Sequence, residues 1–336
     1  DLVPYDRATL GSQSTMTVGI QLRRAAATAR RALIALAAER WSVDATSLST
    51  SEGHIFSASE PSLRVSYADL LQGQNLRLLI PEEMTIKDAE DFVFMGKDLP
   101  RTDALARVTG QAKYSQDIVV DGMLHGKVLR PPSYGASPQQ IDTTGCERVP
   151  GFVMVVRDGD FVGVLCERED ASEQALNAIR VRWREILDLP SDSDFPGILK
   201  ENAGEMVILR EEGSLAEEFA KADHVLEGSY FIPYIANAPM EPSAAVASWE
   251  DGKLTVWSGD RSPFGVRDEL ARNLDMREDQ VRVIAPEIGG SFGTKGTVSI
   301  AYEAALLSKA AGRPVRVVNS RAEEFMWGTV RPATLI

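Results

Sequence analysis

Metal-binding side chains are scarce in this sequence. Two cysteines, Cys146 and Cys166, are too few for a disulfide framework. Together with the three histidines His54, His125 and His224 they make no zinc or iron–sulfur cage, and no C-x-x-C or H-x-x-x-H spacing occurs. The histidines also lack the partner pattern of a nucleophilic triad. A metal used here would therefore take most of its ligands from something other than the chain's own side chains. No apolar run reaches the roughly 18 residues that a membrane span needs. Basic residues are outnumbered, 36 against 49 acidic, and the net charge of −13 argues against a nucleic-acid partner, because counterion release needs clustered Lys and Arg. A start methionine and a signal peptide are missing too. The opening Asp1-Leu2-Val3-Pro4-Tyr5-Asp6 and the apolar ending Leu335-Ile336 read as a piece of a longer polypeptide.

What is present is ordinary for a globular chain: 336 residues, 44% hydrophobic and 25% charged. That length suggests about two to three domains. Leu22, Ala25, Ala26, Ala29, Leu33, Leu36 and Ala37 recur at three- and four-residue spacing and predict a helix over 17–40, with Ser14, Thr15 and Thr17 as capping types ahead of it. Short strands and turns follow over 42–80, with a turn at Glu52-Gly53, and the aperiodic 81–106 reads as a linker. Strands are expected at 108–114, 123–129, 153–156 and 161–166, then a helix at 170–180 and a short one at 214–221. Further strands are expected at 224–233, 243–249, 253–258, 281–285 and 314–319, with helices at 263–275 and 297–311. Helices and strands alternate without a regular βαβ count, so the fold class is α+β.

Three segments could carry chemistry. Gly289-Gly290-Ser291-Phe292-Gly293 lies between a strand and a helix, where glycines let backbone N–H groups approach an anion or an oxo group. It is not G-x-G-x-x-G and lacks the Lys-Ser/Thr of a P-loop, so a plain tight turn is an equal reading. Gly11-Ser12-Gln13-Ser14-Thr15 precedes the long helix, as caps or as a phosphate cradle. Glu241, in Met240-Glu241-Pro242, is either solvated at a sheet rim or turned toward a pocket. Arg261 and Arg267 flank the entry to the 263–275 helix, where arginines usually form surface ion pairs.

Together these motifs resemble the large, molybdopterin-binding subunit of the xanthine dehydrogenase and aldehyde oxidase family. Val108-Thr109-Gly110-Gln111-Ala112-Lys113-Tyr114, Asp117, Gly122-Met123-Leu124-His125 and Arg130-Pro131-Pro132 are similar to its hammerhead domain. Glu241-Pro242, Trp257-Ser258, Pro263-Phe264-Gly265-Val266-Arg267, Gly289–Gly293 with Lys295-Gly296, and Pro314-Val315-Arg316 with Ser320-Arg321 and Glu323 resemble its first molybdopterin-binding region. Residues 11–15 and the helix after them resemble part of the second. That order is similar to the isoquinoline- and nicotinate-dehydrogenase type of large subunit.

The resemblance implies an α+β architecture: part of the second molybdopterin-binding region over 1–95, a hammerhead-type domain with its linker over 96–223, and the start of the first region over 224–336. It implies a molybdenum hydroxylase acting on an N-heteroaromatic compound or an aldehyde, with water as oxygen source. Its cofactor would be molybdopterin, in the cytosine dinucleotide form, with molybdenum held by the pterin rather than by protein side chains. Partners would be a small subunit with 2Fe-2S clusters, a cytochrome or flavin subunit as electron acceptor, and a small-molecule substrate. Gly289, Gly290, Ser291, Phe292, Gly293 and Arg261 would line the metal side of the cofactor. Ser12, Gln13, Ser14 and Thr15 would contact its phosphate tail, and Glu241 the substrate pocket. The family's Gly-x-Gly-Glu general base is not in these residues, so no catalytic residue carries over. A chain of this kind could alternatively be a non-catalytic or split assembly subunit needing a second polypeptide. Two positions depart from the family pattern: Arg261 stands where a glutamine is usual, and Asn237 where histidine often occurs.

Overall fold

The computed structural model describes residues 5, 6 and 8–336; the opening Asp1-Leu2-Val3-Pro4 and Arg7 lie outside the described residues. The chain divides into two compact units, Thr9–Ala104 and Leu105–Ile336, the latter including the described residues before Thr9.

The smaller unit is built on helix α1 (Ser14–Trp41), followed by the antiparallel strands β1 (Leu48–Ser51), β2 (His54–Ser57) and β3 (Arg64–Ser66) and the short helix α2 (Tyr67–Leu71). The turn between β1 and β2 is Glu52-Gly53, as the sequence suggests; both residues have positive φ. The C-terminal half of α1 packs on the strands, where Leu33, Ile34, Ala37, Ala38 and Trp41 cover Leu48, Ile55 and Val65, and nearer the N-terminus Arg23 lies over the Phe92 ring and donates to the Lys87 carbonyl. Leu22, the first residue of the predicted apolar stripe, is 65% exposed. The helix also starts earlier than its hydroxyl residues suggest. Ser14, Thr15 and Thr17 all lie inside it, and Gln13 is the N-cap, without a side-chain bond.

The larger unit begins with α3 (Ala104–Val108) and continues through β4 (Leu124–Val128), β5 (Ser137–Asp142), β6 (Phe152–Asp158), β7 (Phe161–Cys166), α4 (Glu169–Asn177), β8 (Arg180–Arg184), α5 (Phe195–Glu201) and α6 (Leu215–Lys221). After these come β9 (Phe231–Ile232), β10 (Ile235–Ala236), β11 (Ala244–Glu250), β12 (Lys253–Ser258), α7 (Pro263–Asn273), β13 (Val281–Ile284), α8 (Ser299–Ala311), β14 (Val315–Val318), α9 (Arg321–Trp327), β15 (Val330–Arg331) and β16 (Thr334–Leu335). Among the described residues no helix is long and apolar enough to cross a membrane.

One mixed seven-stranded sheet in the order β13-β12-β11-β14-β4-β7-β6 organises this unit. It takes strands from both sides of residue 223. Its pairs are antiparallel except β12–β13 and β14–β4. Helix α8 buries Ile300, Ala301, Ala304, Ala305 and Leu307 on it, and α7 adds Val266, Leu270 and Ala271. Each large aliphatic side chain so removed from water contributes about 1.5–3 kcal/mol. The close fit of α8 depends on Gly126 of β4 and Gly163 of β7. A Cβ at either would stand 2.7 Å from a methyl of Leu307. Pro263 opens α7 and Gly312, left-handed, closes α8, both at the positions their backbone preferences favour.

Two predicted strands are corrected. Residues 108–114 do not form one: α3 ends at Val108, and Gln111 and Ala112 fold back to donate to the Ala106 carbonyl around Gly110, whose φ is positive. A left-handed glycine ends an extended run before it starts. Residues 224–233 are extended only at β9, which pairs with β16; Gly228 and Pro233 interrupt the apolar pattern. The helices α2 and α5 and the β5–β8 pair show no clear period in the sequence and emerge only in the structure.

Candidate functional site

Strand β13 runs into the glycine segment, and α8 follows it, so residues 285–298 are a connection held open between two rigid elements. Four residues there adopt left-handed φ: Gly290 at +94°, Phe292 at +53°, Gly293 at +106° and Lys295 at +49°. The non-glycine cases carry backbone strain, which persists only when neighbours hold it in place. Within the segment the Ser291 hydroxyl donates to the Thr294 carbonyl, and the Thr294 N–H donates to the Ser291 carbonyl.

Glu241 is the main brace. It is 8% exposed, so the rim reading of this carboxylate is overturned. One oxygen accepts the Ser115 N–H at 3.0 Å. The other accepts the Gly289 N–H at 2.9 Å and the Lys295 ammonium at 2.7 Å. The Glu241 N–H donates in turn to the Gly289 carbonyl at 3.0 Å. Lys295 is itself 7% exposed, so charge is balanced inside a nearly dry pair. Ser115 extends the network, its hydroxyl accepting the Gly259 N–H at 2.6 Å. A side chain at Gly289 would collide with the Cβ of Glu241, which is why glycine is required there.

Helix α9 fixes the other side of Glu241. Arg321 donates to the carbonyls of Pro239 and Met240, and the buried Glu324 carboxylate accepts the Ser243 N–H at 2.7 Å and the Asn319 amide at 3.2 Å. Beyond β12, Asp260 is 4% exposed, and burial pushes its carboxyl up to about 6 despite the Ser262 N–H and the nearby Arg261 and Lys295 charges. The Arg261 N–H donates to the Lys295 carbonyl at 3.3 Å, and its guanidinium lies against Gly296.

The structure therefore brings Glu241, Gly289–Gly293 and Arg261 into one neighbourhood. Among the described residues the N–H groups of Gly290, Ser291, Phe292 and Gly293 find no hydrogen-bond partner. A row of free amides in a segment where Gly290, Phe292 and Gly293 have left-handed φ offers donors suited to anionic oxygens. Arg267 forms the surface ion pairs expected of it, with Asp268 and Glu278, whereas Arg261 forms none among the described residues. Ser12, Gln13, Ser14 and Thr15 belong to the smaller unit. Ser12 is left-handed, no side chain caps the first turn of α1, and the Thr17 hydroxyl returns to the Gln13 carbonyl.

Sequence reasoning missed Ser115, Asp260, Glu324 and the pairing role of Lys295. The partners are far apart in the chain, and only the Lys295-Gly296 step gave any signal. No group of three or more His, Cys, Asp or Glu side chains among the described residues could hold a metal ion.

Comparison with known proteins follows the same lines. Residues 199–336 match the molybdopterin cofactor-binding domain family. The chain is 34% identical over 333 residues, 96% of its length, to a nicotinate dehydrogenase subunit from Pseudomonas putida. The chain belongs to the molybdopterin-binding xanthine dehydrogenase family. Within that family it is 27% identical over 97% of its length to the beta subunit of isoquinoline 1-oxidoreductase from Brevundimonas diminuta. It spans 28% and 47% of those two relatives respectively. Among solved structures it resembles quinoline 2-oxidoreductase from Pseudomonas putida 86, with a TM-score of 0.59 and 26% identity over 70% of this chain and 36% of that one.

The residues fit such a cofactor on their own geometry. The turn offers unpartnered amides, and the Arg261 Nε is buried without a bond. No protein ligand to the metal is needed if the pterin supplies them.

Proposed function

We propose that this chain is part of a molybdenum hydroxylase large subunit that binds molybdopterin, in its cytosine dinucleotide form, and hydroxylates an N-heteroaromatic compound or an aldehyde with water as oxygen source. The observation that carries the reading is the row of unpartnered amides from Gly290 to Gly293, braced by the buried Glu241–Lys295 pair. The relatives named for nicotinate, isoquinoline and quinoline support the N-heteroaromatic class.

When bound, the cofactor supplies the two-electron redox chemistry, and this chain supplies position and electrostatics. Gly289 anchors the turn on Glu241, and Gly290, Ser291, Phe292 and Gly293 present N–H donors to the metal side. Ser12, Gln13, Ser14 and Thr15, at an uncapped helix start, receive the phosphate tail. Residues 1–95, 96–223 and 224–336 correspond in this reading to part of the second molybdopterin-binding region, a hammerhead-type domain and the start of the first region. A small partner subunit with 2Fe-2S clusters and a cytochrome or flavin subunit would serve as its electron acceptors.

Glu241 is not available as a general base, because three donors occupy its carboxylate; Glu287 is paired with Arg107. That favours a second reading: this chain forms one wall of the cofactor site, and a carboxylate from outside these residues completes it.

Metal and pterin analysis of the full-length protein isolated from its host tests the first reading. It predicts one molybdenum and one pterin per chain, and oxygen-18 from labelled water in the product. Isolation without molybdenum or pterin would refute it.

A further inference from the structure

The smaller unit, Thr9–Ala104, holds a cleft that the function proposed above does not use. Its volume is about 480 Å³, within the range of small-molecule sites. One wall is a single face of α1, made by Arg23, Ala26, Ala27 and Arg30 at the three- and four-residue spacing of helix neighbours. The facing wall includes Phe92, Val93, Phe94 and Met95, and the last three are each more than half exposed, an apolar surface left in water. Space remains between the walls because two alanines stand between the two arginines.

The two arginines are in different states. Arg23 is already held: its guanidinium lies 4.8 Å from the centre of the Phe92 ring and donates to the Lys87 carbonyl. Arg30, two turns on and so about 10 Å further along the helix, is exposed and makes no hydrogen bond or ion pair among the described residues. Helix α1 does not neutralise it, because Glu39, the helix's one acid, is more than two turns away. Asp88, Glu90 and Asp91 belong to the facing segment but do not line the cleft, whereas Lys87 does. An aromatic, apolar floor with positive charge at its rim complements a flat apolar body that carries one negative charge.

We propose that this cleft binds an aromatic carboxylate, with its rings along Ala26, Ala27 and Phe94 and its carboxylate on the Arg30 guanidinium, whose fork matches two oxygens. The inference does not depend on the molybdopterin reading, because none of these residues belongs to the glycine turn or to residues 11–15.

The test is calorimetric titration of 2-naphthoate and of the uncharged 2-naphthylmethanol into the full-length protein, as wild type, Arg30→Gln, Arg30→Lys and Ala27→Trp. Wild type binds 2-naphthoate, and binds the alcohol about tenfold more weakly. Arg30→Gln loses about the same tenfold for the carboxylate and nothing for the alcohol, and Arg30→Lys recovers part of that loss. Ala27→Trp fills the cleft and abolishes binding of both. Arg30 is exposed, so its variants keep the test decisive should Ala27→Trp fail to fold. No binding by wild type, equal binding of 2-naphthoate by wild type and Arg30→Gln, or equal affinity of wild type for acid and alcohol overturns the proposal.

Discussion

Replacing Lys295 by Met removes the ammonium from a carboxylate that has almost no water around it. The pair is 2.7 Å apart, with side chains 4% and 8% exposed. Removing one partner of a buried pair costs about 3–5 kcal/mol, because the remaining charge is left uncompensated. Glu241 keeps the Ser115 and Gly289 amides, so the expected loss lies at the low end, near 3 kcal/mol. For a unit of this size that lowers the melting temperature by roughly 6–12 °C. Lys221→Met is the matched control. Its partner Glu218 is also at close range, 3.0 Å, but both side chains are about two-thirds exposed, and such pairs are worth about 0–1 kcal/mol. Guanidinium denaturation of the full-length protein, followed by tryptophan fluorescence, measures both. A loss below about 1 kcal/mol for Lys295→Met, or equal losses for the two variants, would refute the claim that this pair braces the turn.

Asp260 gives a pH prediction. Its folded pKa, about 6, lies above the value of 3.8 for a free carboxyl, so the native state holds the proton more tightly than the unfolded state. Stability from this group therefore falls as pH rises from about 4 to 6 and then levels off. Asp260→Asn should be more stable than wild type by up to about 3 kcal/mol at pH 7.5 to 8 and no different at pH 4, as read by denaturation at each pH. Gly126→Ala should cost about 1–3 kcal/mol by pressing on Leu307, and Leu307→Ala in the same chain should give a smaller loss than the two single losses added. Cys146 and Cys166 are fully buried, and burial pushes the Cys166 thiol up to about 11, so neither should react with a thiol reagent until the protein unfolds. Reaction of either in the native protein within minutes would contradict the placement of these residues in the core.

Strong local signals are legible in the sequence. The β11–β12 and β6–β7 hairpins show as apolar runs around Asp-Gly turns, α7 as a proline-opened helix, and α8 as a helix closed by Gly312. The glycine turn between β13 and α8 is legible for the same reason. What escapes is set by tertiary partners. The apolar residues at 108–114 look like a strand until Gly110 turns the chain, and Leu22 looks like a core position until it is found exposed. Glu241 illustrates the site. A lone acid beside proline gives no hint of burial, because its three donors come from residues 115, 289 and 295. Arg261 stands out by type and position, but the buried Nε without a hydrogen bond and the buried Asp260 whose carboxyl feels its charge are visible only in the structure.

Amide hydrogen exchange over residues 289–296 of the full-length protein, with and without its cofactor, tests the central claim most directly. The account predicts that Gly290 to Gly293 exchange freely without cofactor and become protected when it is bound. Unchanged exchange there, with cofactor present in stoichiometric amount, would contradict it.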